Sequence, residues 1–317
     1  MRERDIIERL LRPIATSGAA RGLADDAAVW TPPLGRELVL THDVIAEGVH
    51  YLASDDPSDV AWKLVAVNLS DLAAKGARPA GVLVGLSLAR FDEAWLTRFA
   101  EGLARVLAEF DTPLLGGDTT AAGATVLGLT AIGHVPRGGA LARAGARAGD
   151  RLYVTGSIGD AGLGLAIAKG EAPADKALHR AYRLPMPRIE VGEGLADAGA
   201  TAAMDVSDGL LIDAERMARA AGVAIEIALG EVPLSEAARA RLADDDAGRI
   251  VAATSGDDYE LLIAAPAEAE AALFTLCERA RVRLTRIGRA LPGAGLIVTG
   301  KAGQVLTPAT LGYEHGR

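Results

Sequence analysis

The stretch that decides the fold is Leu64-Val-Ala-Val-Asn-Leu-Ser-Asp-Leu-Ala-Ala74. It belongs to a helix predicted over Pro57–Lys75, with Gly76 placed as its C-cap. Asn68 and Asp71 are three residues apart and therefore share one face of this otherwise apolar helix. Two interpretations follow. In the first, the polar stripe is the solvated face of an amphipathic helix. In the second, Asp71 is a carboxylate removed from water, and such a group needs a cation, a metal or a proton.

Outward from this helix, strands and helices alternate along the chain. The N-terminal half is predicted to contain strands at Leu38–Asp43, Leu114–Asp118 and Thr125–Ile132 and a helix at Glu93–Phe110. The C-terminal half is predicted to contain strands at Arg151–Val154, Ala202–Met204, Val223–Leu229, Ile250–Ala253, Tyr259–Ile263, Arg283–Ile287 and Leu296–Thr299. A stretch of Gly, Ala and Arg near 136–149 separates the halves. We therefore predict an α/β (mixed α+β) protein with domains at 1–137 and 138–317.

The composition limits the classes of function. The 317 residues include 33 Lys and Arg against 42 Asp and Glu, a net charge of −9. This acidity argues against a nucleic-acid or anionic-membrane partner, because phosphate-rich surfaces would be repelled. The single Cys277 cannot form an intramolecular disulfide, and no apolar run approaches the length of a membrane helix. We expect a cytoplasmic enzyme or binding protein.

Aspartates recur at places where strands and helices end or should be apolar. Taken singly, each fits a turn or a helix cap. Taken together, they describe an oxygen-rich site with few histidines, which suits Mg²⁺ better than zinc or copper. Oxygen ligands without a covalent nucleophile indicate phosphoryl transfer, in which the protein mainly positions reactants and neutralises charge. The aspartates are Asp25, Asp26, Asp43, Asp71, Asp118, Asp205, Asp208, Asp257 and Asp258.

Two segments imitate phosphate-binding loops. Gly295-Leu-Ile-Val-Thr-Gly-Lys301 has the P-loop spacing, but Ala302 replaces the hydroxyl residue, and a strand with a turn is the better interpretation. Gly162-Leu-Gly164 lacks the third glycine of the dinucleotide fingerprint. Arg143 and Arg147 are cations that could pair with phosphates, although a solvated surface explains Arg147 better.

The aspartate motifs resemble those of the thiamine-monophosphate kinases, within the wider superfamily of aminoimidazole-ribotide synthetase and selenophosphate synthetase. The matching segments run in order over nearly the whole chain: Gly22-Leu-Ala-Asp-Asp-Ala-Ala-Val29, Thr41-His-Asp43, Glu47-Gly-Val-His50, Lys63 with Val67-Asn-Leu-Ser-Asp-Leu-Ala-Ala74, Gly116-Gly-Asp-Thr-Thr120, Asp205-Val-Ser-Asp-Gly-Leu210, Gly256-Asp-Asp-Tyr-Glu-Leu261 and Leu311-Gly-Tyr313. The segments beginning at Glu47 and Asp258 are more particular to the kinases. Asp257 stands where the family usually has Glu, which is one methylene longer.

This resemblance implies a two-domain aminoimidazole-ribotide synthetase-like fold that forms a homodimer through a β-barrel of N-terminal domains. It implies transfer of the γ-phosphoryl group of ATP to thiamine monophosphate by in-line attack, assisted by several Mg²⁺ ions. The implied metal ligands are Asp26, Thr41, His42, Asp43, Asp71, Asp118, Asp205 and Asp208. The implied ATP contacts are Gly117, Asp118, Arg143 and Ser207, and those to thiamine monophosphate are His50, Asp257 and Tyr313.

Other functions stay open at this point. One is a related ATP-dependent synthetase acting on another substrate, which would release phosphate with that substrate and not with thiamine monophosphate. Another is a non-catalytic nucleotide-binding module, which would bind ATP without turnover. For Lys63, a helix-surface position and a phosphate contact are equally good interpretations.

Overall fold

The computed structural model describes residues 1–314 and residue 316, and within them the chain forms two compact units. The N-terminal unit comprises Met1–Leu72 and Ala77–Gly138, and the C-terminal unit comprises Ala73–Gly76 and the chain from Gly139 onward. Each unit combines helices with strands, which confirms the predicted two-domain, mixed α/β class. None of the helices among the described residues combines the length and apolarity needed to cross a membrane.

The N-terminal unit is built around one mixed sheet. Its strands are β1 (Arg36–Ala46), β2 (Arg78–Leu88), β3 (Leu114–Ala121) and β4 (Val126–Pro136), and its helices are α1 (Glu3–Asp5), α2 (Pro57–Ala74) and α3 (Glu93–Glu109). A π-helical stretch, Ile6–Leu11, continues α1, and 3-10 turns follow at Arg12–Ile14 and Gly18–Leu23. The strand order is β1-β4-β2-β3, with β2 and β3 parallel and the other pairs antiparallel. In the described part of the chain this sheet is open, so no barrel closes within one molecule.

Helix α2 is buried over most of its length, as expected for a helix that is apolar on nearly every side. Asn68 has no exposed surface, so the interpretation of its stripe as a solvated face is wrong for this residue. Helix α3 packs closely on α2, since a Cβ on Gly102 would overlap the backbone of Ser58. The rings of Trp62 and Phe110 meet edge to face, with centroids 5.8 Å apart.

The C-terminal unit has a second mixed sheet with helices on both faces. Its strands are β5 (Arg151–Thr155), β6 (Ala202–Val206), β7 (Ala224–Ala228), β8 (Glu260–Ala265), β9 (Leu284–Leu291), β10 (Gly295–Thr299) and β11 (Val305–Leu306). Its helices are α4 (Asp160–Ala168), α5 (Lys176–Arg183), α6 (Ile189–Gly194), α7 (Leu210–Ala221), α8 (Glu236–Arg239), α9 (Asp246–Thr254) and α10 (Glu270–Arg279), with 3-10 turns at Arg143–Gly145, Leu229–Glu231 and Ala267–Ala269. The strand order is β11-β10-β7-β9-β5-β8-β6.

Alternation along β5 shows how this sheet is covered on both faces. Leu152 and Val154 join a core with α7, whereas Tyr153 points to the other face and joins a core with α6 and α10. All five residues of β6 are buried, so Asp205, near the end of this strand, lies in the interior of the unit.

One predicted strand, Ile250–Ala253, is wrong, and neither segment that imitates a phosphate-binding loop forms one. Ile250–Ala253 lies inside α9, because Asp245 caps the helix by accepting the N–H of Gly248 at 2.8 Å. A short apolar run fits a buried strand and a buried helix equally well, which is why its pattern misled the prediction. The segment from Gly295 is strand β10 followed by a turn, as predicted, and Gly162-Leu-Gly164 lies within α4.

Candidate functional site

Strand β1 and helix α2 hold a group of polar side chains in the N-terminal unit. Thr41 and Asp43 alternate with more exposed neighbours and lie on the inner, partly buried face of β1. The Thr41 hydroxyl donates a hydrogen bond to the Asp71 carboxylate, and the N–H of Asp43 donates to Oδ1 of Asn68 at 2.9 Å. Asn68 is fixed in turn, because its Nδ2 donates to the carbonyl of Leu64 at 2.9 Å. The structure therefore brings Thr41, Asp43 and Asp71 together.

His42 lies on the other, exposed face of β1. Its Nδ1 is 2.9 Å from the hydroxyl oxygen of Thr130 on β4. A Cβ on Gly128 would lie 3.1 Å from the imidazole ring, so the absence of a side chain there leaves room for the ring. Since the ring does not join Thr41 and Asp43, a role for His42 at a metal beside them would fall to its backbone.

Gly117 and Asp118 lie on β3, at the far edge of the same sheet. The register places Asp43, Leu129, Val84 and Gly117 in one row across it. Three strand spacings of about 4.8 Å separate the row's ends by roughly 14 Å, so Asp118 is not brought to Asp43 within this sheet. Gly117 has a φ of 157°, and a Cβ there would overlap the Val84 carbonyl oxygen. This position therefore requires glycine.

His50 ends a tight turn that follows β1. The turn depends on Gly48, whose φ is 81°, and the Ala46 N–H donates to Nδ1 of His50 at 3.1 Å. The Lys63 ammonium is buried and donates to the His50 carbonyl at 2.9 Å. Of the two interpretations of Lys63, the helix-surface position is wrong, and the lysine fixes the turn that carries His50.

Asp26 lies in an exposed segment before β1. Its own N–H donates to the Asp25 carboxylate at 2.9 Å, and Asp25 forms an ion pair with Arg21. Arg21 and Leu23 both adopt positive φ angles, near 50°. The carboxylate of Asp26 forms no hydrogen bond or ion pair within residues 1–314. Among the described residues, Asp26, Asp43 and Asp71 do not form a group that could hold a metal ion by themselves.

In the C-terminal unit, backbone hydrogen bonds bring together three of the predicted segments. Asp205 is buried one residue before the end of β6, and Ser207 and Asp208 follow the strand directly. The N–H of Asp257 donates to the Ser207 carbonyl at 2.8 Å, and the N–H of Tyr313 donates to the Asp208 carbonyl at 2.9 Å. Three segments that are far apart in sequence, which carry five predicted site residues, therefore lie side by side.

Two residues missed by the sequence reasoning hold the loop that carries Asp208. Asp213 is fully buried in α7 and accepts the N–H groups of Ser207 and Asp208 at 3.0 and 3.1 Å. Arg216 lies 2.6 Å from the Asp208 carboxylate and 2.7 Å from that of Asp213. Burial raises the pKa of Asp213, and Arg216 opposes this effect. The sequence signal that could have found Asp213 is the one that singled out Asp71, an acidic residue inside an otherwise apolar run, here Leu210-Leu-Ile-Asp-Ala214.

Arg143 lies near the start of β6 in the C-terminal unit. It begins a 3-10 turn whose Gly145 packs on the backbone of Thr201, just before β6 begins. Asp205 is at the other end of that strand. The Arg143 guanidinium forms no hydrogen bond or ion pair with the part of the chain that the structure describes.

The chemistry of the predicted metal ligands fits a hard cation. Carboxylate and hydroxyl oxygens are the groups that Mg²⁺ prefers. Among residues 1–314 and 316, no three His, Cys, Asp or Glu side chains are placed to bind a metal by themselves. Mg²⁺ commonly keeps several waters and is held by one or two carboxylates together with substrate phosphates. Groups such as Asp71 with Asp43, and Asp205 with Asp208, suit metal sites of that incomplete kind.

Known proteins of one family match nearly the whole chain, both in sequence and in structure. Family models of AIR synthase related proteins match at residues 24–135 for the N-terminal domain and 147–301 for the C-terminal domain. The chain is 42% identical to a thiamine-monophosphate kinase of Caulobacter vibrioides, over 99% of this chain and 91% of that protein. It matches the crystal structure of thiamine-monophosphate kinase from Stenotrophomonas maltophilia with a TM-score of 0.86 and 38% identity, covering 96% and 98% of the two chains. It also matches AaThiL complexed with AMPPCP and TMP, with a TM-score of 0.77 and 29% identity, covering 99% of each.

Proposed function

The chain belongs to the thiamine-monophosphate kinase family, and from that membership we propose how its residues serve ATP-dependent phosphorylation of thiamine monophosphate. The enzyme transfers a phosphoryl group from ATP to this acceptor and yields thiamine diphosphate. The observation that carries this assignment is 42% identity to a kinase of this kind along 99% of the chain. Similarity to a solved complex with AMPPCP and TMP supports it. Because the reaction consumes ATP, the same proposal places the enzyme in the cytoplasm.

Magnesium would be held by the clustered carboxylates of each unit. In the N-terminal unit, Asp43 and Asp71 would bind it with the Thr41 hydroxyl, and His42 would contribute through its backbone. The remaining proposed ligands are Asp26, Asp118, Asp205 and Asp208. When bound, Mg²⁺ supplies positive charge that neutralises phosphate oxygens as the phosphoryl group moves. Support comes from the all-oxygen donor set and from the hydrogen bonds that fix Asp43 and Asp71 in place.

The acceptor needs little chemical activation by the protein. The phosphate of thiamine monophosphate is already an anion near neutral pH, so no side chain has to act as a strong base. We expect direct in-line attack on the γ-phosphorus, with the protein holding donor and acceptor in line. No covalent nucleophile is expected. Burial raises the pKa of the Cys277 thiol to about 11, which fits an inert side chain.

The two substrates would be bound by different residues of the chain. Gly117, Asp118, Arg143 and Ser207 would contact ATP. His50, Asp257 and Tyr313 would contact thiamine monophosphate. The backbone bonds that join the segments of Asp257 and Tyr313 to the loop at Ser207 and Asp208 support this division within the C-terminal unit.

The proposed enzyme is a homodimer that pairs through the N-terminal sheets. The outer face of β1 exposes a row of apolar side chains, with 44% of Leu38, 62% of Leu40 and 42% of Val44 accessible. Apolar rows of this kind on a sheet face commonly mark a surface that another molecule covers. Two such faces packed together would close the barrel that one open sheet lacks.

A charge on this face is expected to separate the dimer. Leu40→Glu would place a carboxylate in the paired face, and we expect light scattering to give the mass of one chain instead of two. Leu34→Glu is the matched control, because Leu34 is fully exposed on a loop outside the sheet. A wild-type chain that is monomeric, or a Leu40→Glu variant that stays dimeric, would contradict this interface.

A product assay tests the proposed reaction. Purified chain incubated with ATP, Mg²⁺ and thiamine monophosphate should yield thiamine diphosphate and ADP in equal amounts, separated by chromatography. Chelation of Mg²⁺ should stop product formation, and added Mg²⁺ should restore it. Absence of thiamine diphosphate at saturating Mg²⁺ would overturn the proposal. Phosphate release with an aminoimidazole-ribotide precursor instead would favour a related synthetase.

A further inference from the structure

The glycine-rich start of α4 is occupied by a carboxyl group from the protein itself. The carboxylate of Asp258 accepts the N–H of Gly159 at 2.7 Å and that of Ala161 at 3.3 Å. These are the donors that an incoming phosphate would use at a helix start. Burial raises the pKa of the Asp258 carboxyl well above its usual value, against the opposing effect of the two donors. Asp258 therefore anchors its loop to α4 from the inside.

The loop that this anchor holds has a constrained backbone. Asp257 and Tyr259, on either side of Asp258, have φ angles of 71° and 50°. Residues other than glycine rarely adopt such angles, and they persist only where the surroundings hold them. Here the N–H groups of both residues also donate to the β6 end, at Ser207 and Val206, each at 2.8 Å. Asp257 and Tyr259 thus stay on one side of the loop while Asp258 turns inward.

A second anchor follows directly at the start of β8. Glu260 is buried and receives hydrogen bonds from the Arg188 guanidinium, one of them at 2.7 Å from Nε, and from the Thr155 hydroxyl at 2.6 Å. A Cβ on Gly156 would overlap the Glu260 carboxylate, so only glycine fits there. The loop is therefore fixed on both sides of Tyr259, whose hydroxyl donates to the Asp257 carboxylate at 3.2 Å.

We propose that Asp258 is a positioning residue for thiamine monophosphate, acting through Asp257. The inference rests on the proposed function, in which Asp257 contacts this substrate. Its side chain is one methylene shorter than glutamate, so it depends on the backbone for its reach. The anchor of Asp258 sets that backbone, and the Tyr259 hydroxyl then orients the carboxylate. A carboxylate suits the cationic thiazolium ring of thiamine and the amino group of its pyrimidine ring, and it would repel the phosphate.

The test compares Asp258→Asn with a matched control at the same helix start. The amide keeps the size of the side chain but turns an NH₂ group toward one of the two N–H donors. We expect the KM for thiamine monophosphate to rise about tenfold or more, with the KM for ATP and the kcat within about twofold. Asp160→Asn changes another carboxylate at this start, which accepts the hydroxyls of Ser157 and Ser235 at 2.6 and 2.7 Å. It should lower the melting temperature and leave both KM values unchanged.

A double variant separates positioning from general destabilisation. If Asp258 acts through Asp257, Asp258→Asn adds little to the KM increase in an Asp257→Asn background. Additive effects would contradict the proposal, as would a wild-type KM in Asp258→Asn or an equal rise for both substrates. Should Asp258→Asn fail to fold, Tyr259→Phe removes only the hydroxyl and should raise the same KM alone; an unchanged KM would then overturn the proposal.

The wild-type enzyme distinguishes this inference from the proposed function. If it forms no thiamine diphosphate, the proposed function fails, and with it the premise of a positioning role. If the wild type turns over, only the variants decide whether Asp258 positions the substrate.

Discussion

Asp205→Asn is expected to reduce kcat for thiamine diphosphate formation on the order of a hundredfold or more, with the fold retained. The asparagine keeps the shape of the buried side chain at the end of β6 but removes the negative charge proposed to hold Mg²⁺. Steady-state kinetics at saturating Mg²⁺ measure the loss, and a circular-dichroism spectrum with a thermal melt checks the fold.

Asp150→Asn is the matched control, because both aspartates are 4% exposed, and Asp150, which precedes β5, is hydrogen-bonded at the start of β6 while Asp205 lies near its end. Asp150 accepts the N–H of Arg147 at 2.8 Å and the hydroxyl of Thr201, the residue before β6, at 2.6 Å. Its replacement should lower the melting temperature and leave kcat near the wild-type value. Near-parental kcat in Asp205→Asn would remove Asp205 from the metal site.

Asp71→Asn is expected to have a similarly large effect in the N-terminal unit. The amide oxygen can still accept the Thr41 hydroxyl, so the local structure is kept while the charge is lost. We expect kcat/KM for ATP to fall on the order of a hundredfold, and the concentration of Mg²⁺ needed for half-maximal rate to rise. Titration of the rate with Mg²⁺ measures both quantities.

The control for this variant lies on the same helix. Asp59 forms an ion pair with Arg105 at 3.3 Å near the start of α2, away from Thr41. Asp59→Asn should leave the Mg²⁺ dependence unchanged and cost little stability, since Arg105 is half exposed. If the two substitutions changed the Mg²⁺ dependence equally, the effect would come from losing a negative charge anywhere on α2. Asp71 would then lose its assigned role as a metal ligand.

Local patterns in the sequence were sufficient for much of the fold and for the segments of the site. The apolar run around Asp71 predicted a helix, and the structure confirms one over Pro57–Ala74. Strand β2, Arg78–Leu88, was not predicted, although its inner residues alternate. Its register between β3 and β4 depends on partners far away in sequence, and no local pattern specifies them. The mistaken strand at Ile250–Ala253 has a related cause. Its apolar run fits a helix and a strand equally well, and the cap at Asp245 together with packing makes it a helix.

The supporting residues of the site could not be predicted for a different reason. Asp258 belongs to the predicted aspartate motifs, and nothing in its sequence neighbours shows that its side chain turns inward to α4. Asp213 lies within α7 but accepts the N–H groups of the loop that precedes this helix. Such contacts depend on the direction in which a side chain points, and the local sequence does not specify that direction. The sequence suggested which residues act, whereas the structure shows how several of them are held.

The most direct measurement follows the γ-phosphorus of labelled ATP. In the presence of Mg²⁺ and thiamine monophosphate, we expect the label to appear in the terminal phosphate of thiamine diphosphate and not in inorganic phosphate. Label found only in inorganic phosphate, or retained in ATP at saturating substrates, would contradict direct transfer to thiamine monophosphate.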